Sequence, residues 1–426
     1  MATGLSGPDL VPGFSVDVFT SKPPRVNWLD RWLAAQVQRR IAPAAVRIEL
    51  WDGTSPGDAA TSAIGELVVH DRGTLAGLAL DPELYFGECY MAGRLDVRGS
   101  LEPILEALSK VAPPERSWQE QLRAALAIPN TLTRSRRNVQ HHYDLGNDFY
   151  RTWLDPDLVY TCAYYEQPDM SLEQAQRAKL DLVCRKLHLG PGDTVVEAGC
   201  GWGALALYMA RHYGAQVKAF NVSREQLTYA RDRARREGLG DRVEFIDDDY
   251  RNISGQFDAF VSVGMIEHVG VHQFRTLADV IRRSVRRRGG RGLLHFIGRD
   301  APRPLNAWIR RRIFPGAYPP TLAEVATHIL APAGLSIVDV ENLRRHYALT
   351  LRDWGGRFSS AREQIRAQYG EPFTRAWELY LAGSQAAFAT GWMQLFQVIF
   401  TPFESTPPHW ARSSIYGPSG SSRAPQ

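Results

Sequence analysis

The chain has 426 residues, 44% of them hydrophobic and 23% charged, with 50 Lys and Arg against 46 Asp and Glu for a net charge of +4. That is the composition of a globular protein long enough for two domains, and it excludes fibrous and intrinsically disordered classes. A balance so near neutral does not by itself point to nucleic acid. No apolar run reaches the ~18–20 residues of a membrane span, and the N-terminus lacks the basic-then-apolar pattern of a secretory signal. The cysteines (Cys89, Cys162, Cys184 and Cys200) have no paired spacing and are expected to be reduced thiols.

In chain order, residues 1–24 are rich in Gly, Pro and Ser and are expected to be poorly ordered. A compact module is expected over 25–115, with a helix at 29–41, strands at 46–51 and 65–70, an aromatic, apolar stretch at 84–93 and a helix at 101–110. Pro113-Pro114 closes it, and a linker helix is expected over 116–137. A second domain is expected over 138–403. Strands are predicted at 194–197, 216–221, 243–247, 257–263 and 292–297, with helices at 204–213, 224–237 and 274–287 between them. This alternation predicts an α/β fold, a parallel sheet with helices on both faces. A strand at 335–342 joins the edge, and 351–397 reads as helices whose aromatic stripe, from Trp354 to Phe396, forms the core of a cap. Residues 404–426 are expected to be a disordered tail.

The most informative stretch is Val195-Val196-Glu197-Ala198-Gly199-Cys200-Gly201-Trp202-Gly203-Ala204. A buried strand ends in a carboxylate, glycines follow at every second position, and a helix begins at Ala204. Glycines let the backbone approach a ligand, and the helix start offers unpaired N–H groups, which together make a nucleotide or nucleoside cradle. A dinucleotide fingerprint would place its acid about 20 residues after the loop. Here Glu197 precedes the loop and Asn221-Val222 closes the second strand. The arrangement looks like the first motif of S-adenosylmethionine-dependent methyltransferases.

Further motifs narrow the reading. Gln140-His141-His142-Tyr143-Asp144-Leu145-Gly146-Asn147-Asp148-Phe149-Tyr150, Leu154-Asp155-Pro156 and Tyr160-Thr161-Cys162-Ala163-Tyr164-Tyr165 stand ahead of the cradle. Val261-Ser262-Val263-Gly264-Met265-Ile266-Glu267-His268-Val269-Gly270, Leu293-Leu294-His295-Phe296-Ile297-Gly298 and His346-Tyr347-Ala348-Leu349-Thr350-Leu351 follow it. In this order they resemble the cyclopropane-fatty-acid synthase family, which includes the mycolic acid cyclopropane synthases, from about residue 66 to about residue 400. The resemblance implies a class I methyltransferase, a Rossmann-like doubly wound sheet with a helical cap, preceded by a smaller α+β lipid-engaging domain. It implies S-adenosylmethionine as methyl donor and a bound bicarbonate as proton acceptor. The substrate it implies is an unsaturated phospholipid in the membrane surface, met by a homodimer lying peripherally on the cytoplasmic face.

Carried over position by position, the resemblance implies an anion cage of Cys162 (chiefly its backbone N–H), Glu267, His295, Ile297 (backbone) and Tyr347. It places Tyr143, Tyr160 and Thr161 at the methionine end of the cofactor, and Glu197, Gly199 and Gly201 at the loop. Asn221, Val222 and Gln226 would meet the ribose, and Asp249, Tyr250 and Arg251 the adenine. Asn221 and Arg251 also read as turn and surface residues. His141, His142, His268 and His272 lack metal-ligand spacing, so no metal is expected. Three alternatives stay open: a related C-methyltransferase giving methylene- or methyl-branched chains (with a reductase partner for the latter), a non-catalytic lipid-binding protein, and a small-molecule methyltransferase. The arginines at 282–283, 286–288, 291 and 310–312 read either as solvated faces or as a surface for anionic phospholipid.

Overall fold

A computed structural model describes residues 14, 24–56, 63–111, 145–409 and 411–416. The linker helix expected over 116–137 and the motif residues Gln140 to Asp144, Tyr143 among them, lie outside these. The N-terminal elements are α1 (Trp28–Ile41), β1 (Val46–Glu49), β2 (Gly65–Val69), α2 (Arg72–Leu80), α3 (Pro82–Met91), β3 (Leu95–Arg98) and α4 (Leu101–Ser109). There follow α5 (Asn147–Arg151), α6 (Leu172–Lys186), β4 (Thr194–Ala198), α7 (Ala204–Tyr213), β5 (Gln216–Asn221), α8 (Arg224–Arg236), β6 (Val243–Asp247) and β7 (Ala259–Val263). Beyond them, apart from one-turn helices, come α9 (Phe274–Ser284), β8 (Arg291–Gly298), α10 (Ala307–Arg312), β9 (Leu335–Asn342), α11 (Arg344–Ser360), α12 (Arg362–Tyr369), α13 (Glu371–Thr390) and β10 (Gln394–Pro402).

These elements form two compact units, one of residues 1–127, 303–315 and 351–392, the other of 128–302, 316–350 and 393–426. In the first, β2 pairs in parallel with β1 and antiparallel with β3. Asn27 and Asp30 form a reciprocal cap on α1, and Asp30 then takes a two-pronged bond from Arg72 at 2.7 and 2.8 Å. The late helices belong to this unit. Arg375 of α13 reaches the Leu95 carbonyl and Asp96 at 2.8 and 2.7 Å and lies 4.2 Å from the centre of the Tyr90 ring. The helices expected to cap the nucleoside-binding sheet thus pack on the N-terminal elements. Their aromatic residues Trp354, Phe358, Phe373, Trp377 and Phe388 are buried as core side chains. Phe14, in the stretch expected to be poorly ordered, is also buried, its ring 5.1 Å from that of Phe373.

The second unit is built on a seven-stranded sheet ordered β6-β5-β4-β7-β8-β10-β9. It is parallel from β6 to β8, while β10 runs antiparallel to both β8 and β9. The connections reverse direction between β4 and β7, so the carboxyl ends of these strands flank the crevice where open α/β sheets bind ligands. One apolar layer joins α6 and α7 to one face of the sheet, and a second joins α9 to the other.

Two expectations are corrected here. The helical reading of 351–397 ran into what is β10, all nine residues of which are buried. A strand covered on both faces lacks the polar alternation that separates strand from helix, and its run Leu395 to Phe400 fits either. The tail was expected to be disordered throughout, yet residues 411–416 pack on this unit. Ile415 is 2% exposed, its carbonyl accepts from Arg185, and Arg412 pairs with Asp339.

Candidate functional site: a glycine loop beside a buried polar cluster

The glycine loop leaves β4 and enters α7 with Gly199, Gly201 and Gly203 at φ of +85°, +54° and +83°, a region costly to any residue with a Cβ. Their surroundings differ. A Cβ on Gly203 would lie 2.6 Å from the Phe245 ring, and one on Gly199 3.1 Å from Met265, whereas one on Gly201 would meet nothing within 4 Å. Gly203 therefore serves close packing, and Gly201 leaves open space beside the backbone. Glu197 is 2% exposed, and burial pushes its carboxyl up to about 8 although Lys179 and the Ala206 N–H favour the charged form. Its Oε2 has no hydrogen-bond partner.

Asn221, at the end of β5, ties the loop to α8. Its Nδ2 donates to the Gly201 carbonyl at 3.2 Å and to Gln226 Oε1 at 2.8 Å, and its Oδ1 accepts from Val222 N–H at 2.8 Å. Asn221, Val222 and Gln226 thus stand together with Gly201. Asp249 and Arg251 instead bind each other, with Arg251 Nε 2.8 Å from Asp249 Oδ1, and the guanidinium lies 5.3 Å from the Tyr250 ring centre. This is the turn role that had been the other reading of Arg251. Within the loop, Trp202 Nε1 donates to Asn147 at 2.6 Å, and the Tyr150 ring meets those of Trp202 and Tyr160 at a tilt, with centroids 5.0 and 5.5 Å away. Thr161 accepts from Lys179 at 2.9 Å and sits against Gly264, just past β7.

Two of the proposed cage residues, Glu267 and Ile297, meet just past β7 and near the carboxyl end of β8. Glu267, in the one-turn helix Ile266–Val269, is 5% exposed; its Oε1 accepts the Ile297 N–H and its Oε2 has no partner. Burial raises its carboxyl to about 7, against the pull of that N–H. His295 is 1% exposed, with Nε2 unpartnered and Nδ1 3.0 Å from Gln397 Nε2. Burial, together with the charges of Lys179 and Lys186, holds the ring well below its ordinary pKa. Cys162 is fully buried and its thiol is pushed up by burial, which suits a packed thiol and not an attacking thiolate. The Leu343 carbonyl lies 3.9 Å from Cys162 Sγ and accepts the Tyr347 N–H at 3.1 Å, so these two residues are neighbours. The helical reading began at 351, but the helix starts earlier and Tyr347 lies in the first turn of α11. Of the predicted set, Tyr143 alone falls outside the described residues.

Sequence reasoning missed the buried polar side chains behind this cluster. Lys179 and Lys186 project from α6 at 2% and 0% exposure, and Gln397 of β10 is 0% exposed. Burial lowers Lys179 to about 8. The available signal was a pair of lysines seven residues apart among Leu172, Ala175, Leu180 and Val183, on the helix side that must face the sheet. Several arginines that had suggested a lipid-facing surface are paired within their own unit: Arg282 with Asp279, Arg286 with Asp258, Arg287 with Glu404 and Arg312 with Glu88.

Sheet order, glycine loop and the polar residues beside them define a class I S-adenosylmethionine-dependent methyltransferase. A family model described as mycolic acid cyclopropane synthetase matches residues 130–398, and one for a domain of unknown function matches 34–113. The chain belongs to that family of cyclopropane synthases. It is 35% identical over 392 residues to the "Probable fatty acid methyltransferase" of Pseudomonas putida, covering 87% of this chain and 96% of that one. The cyclopropane-fatty-acyl-phospholipid synthase of Escherichia coli K12 is 38% identical over 75% of this chain and 83% of its own. The solved cyclopropane synthase MmaA2 of Mycobacterium tuberculosis superposes with a TM-score of 0.59 at 30% identity, over 62% of this chain and 97% of its own.

Proposed function

We propose that this enzyme transfers a methylene carbon from S-adenosylmethionine to the cis double bond of an unsaturated phospholipid acyl chain, closing a cyclopropane ring, with bicarbonate as proton acceptor. The observation that carries the reading is the pair of unpartnered buried atoms, Glu267 Oε2 just past β7 and His295 Nε2 on the neighbouring β8, with the Ile297 N–H bonded to the other oxygen of Glu267. Such a set fits a small oxyanion, which needs donors and one group to orient it. The open side of Gly201, with Asn221 and Gln226 next to it, fits a nucleoside. Bound S-adenosylmethionine supplies an electrophilic methyl group, and bicarbonate a base. An alkene is an uncharged, weak nucleophile, so what the chain's own residues contribute is orientation and exclusion of water. Ring closure makes two carbon–carbon bonds and releases one proton. Glu267, oriented by the Ile297 N–H, would hold the acceptor of that proton, with His295, Cys162 N–H and Tyr347 completing its surroundings.

A second reading is supported by two relatives that cover 86% or more of this chain. The Pseudomonas protein, and the tuberculostearic acid methyltransferase UfaA1 of M. tuberculosis at 34% identity over 86% of this chain, are named for methyl transfer and not for ring formation. On that reading the proton leaves elsewhere, giving a methylene-branched chain that a partner reductase could saturate. Turnover of one defined cis-monounsaturated phospholipid, followed by mass spectrometry and proton NMR, separates the two. Cyclopropyl protons upfield of the methyl region are expected, and terminal alkene signals would replace the first reading by the second.

The enzyme would act as a homodimer, peripherally on the cytoplasmic face of the membrane. Among the described residues no helix is long and apolar enough to cross a bilayer. Trp28, Leu29 and Trp32, 73%, 50% and 56% exposed on the first turns of α1 beside Arg25 and Arg31, support contact with a phospholipid surface through the N-terminal module.

A further inference from the structure

Register places three polar side chains in a row across the sheet. Gln397 on β10 lies opposite His295 on β8 and opposite Glu341 on β9. From α6, Lys186 Nζ donates to Gln397 Oε1 at 2.6 Å and to Glu341. An ammonium group only donates, so it holds the oxygen end of the Gln397 amide towards itself. The NH2 end is thereby turned to His295, 3.0 Å from Nδ1. An amide NH2 has no lone pair to offer, so Nδ1 must accept, and the single proton of the neutral ring sits on Nε2. Nε2, like Glu267 Oε2, has no hydrogen-bond partner.

We infer that Lys186 and Gln397 are positioning residues that lock His295 as an Nε2–H donor and thereby remove it as a base. A charged imidazolium would set an Nδ1–H against the amide hydrogens, so the same contact opposes protonation. Burial and the neighbouring lysine charges act in the same direction. His295 then serves an anion as a donor, and the proton of the reaction has to be taken by another group, Glu267 or the acceptor it holds. This role in catalysis rests on the proposed function; the tautomer itself does not.

Two-bond proton–nitrogen NMR on the full-length protein labelled with ¹⁵N-histidine, free of lipid and cofactor, tests the inference. The His295 signals are identified by their loss in His295→Asn. A pure Nε2–H pattern, unchanged from about pH 6 to 8 across the ordinary histidine range, is expected. In Gln397→Glu a carboxylate accepts from both Lys186 and the ring, so the proton should move to Nδ1. Turnover should then drop roughly 100-fold, the scale of losing one oxyanion donor, while S-adenosylmethionine binding persists. If that variant does not fold, Lys186→Met frees the amide to turn and should yield mixed tautomers, and Lys186→Arg should restore the single one. An Nδ1–H or charged ring in the wild type, or a tautomer unmoved in Gln397→Glu or Lys186→Met, overturns the inference. A product other than a cyclopropane would overturn the proposed function and leave the tautomer result standing.

Discussion

Glu267 is subject to two opposed influences, burial that favours the neutral acid and the Ile297 N–H that favours the carboxylate. With the group held at about 7, modest changes decide its state near neutral pH. Glu267→Gln keeps the shape and one acceptor but cannot ionise, so kcat should fall by two or more orders of magnitude, roughly the effect of losing a base or its holder. Isothermal titration with S-adenosylmethionine should show affinity changed less than about threefold, and an equal loss of affinity would move Glu267 into the cofactor site. The same carboxyl makes stability depend on pH. Glu267 and Glu197 titrate at about 7 and about 8 when folded but near 4.3 when unfolded. Between those values the folded state binds more protons, so stability is highest below about pH 4.3 as far as these groups are concerned. It is lost as pH rises through the folded values, by up to ~1.4 kcal/mol per pH unit for each group. Urea midpoints from pH 5 to 7 should decline less steeply in Glu267→Gln than in the wild type.

The glycine loop allows two substitutions with opposite outcomes. Gly203→Ala combines φ of +83° with a Cβ 2.6 Å from Phe245, so it should lower stability by roughly 2–3 kcal/mol. Gly201→Ala meets open space at a φ of +54°, so it should cost only about 1 kcal/mol of strain yet weaken S-adenosylmethionine binding at least tenfold by filling that space. Thermal unfolding and cofactor titration on the pair check both statements. This loop was legible in the sequence because each of its parts has its own local signal, an apolar strand, a carboxylate, spaced glycines and a helix start. Glu267 and His295 were legible only through family resemblance. Once that placed them, the predicted strands put them at one sheet edge. Gln397 was not legible, since its importance depends on β10 lying between β8 and β9. Lys179 and Lys186 were within reach, as charges on a helix side that had to be buried.

The organisation of the whole molecule was read less well than its elements, because domain membership depends on contacts distant in sequence. Nothing in the composition of 351–392 distinguishes helices that cover their own sheet from helices that join the N-terminal elements; Arg375 with Asp96 makes that distinction. Membrane contact is a property of this scale as well. Trp28→Ala with Trp32→Ala should lower binding to anionic phospholipid vesicles about tenfold or more in a sedimentation assay, since each exposed indole is suited to the bilayer interface. Activity on a detergent-dispersed lipid should remain. Unchanged sedimentation would return the α1 face to ordinary solvent exposure. The position of β10 has a consequence for biosynthesis. Synthesis runs from the N-terminus, so β8 and β9 are complete while their shared neighbour is still unmade, and residues 351–392, which separate β9 from β10, belong to the other unit. Until the ribosome has delivered residues 394–402, two strands present unpaired edges to solvent, a template for aggregation. A nascent chain paused at this point is the species that chaperones should have to guard.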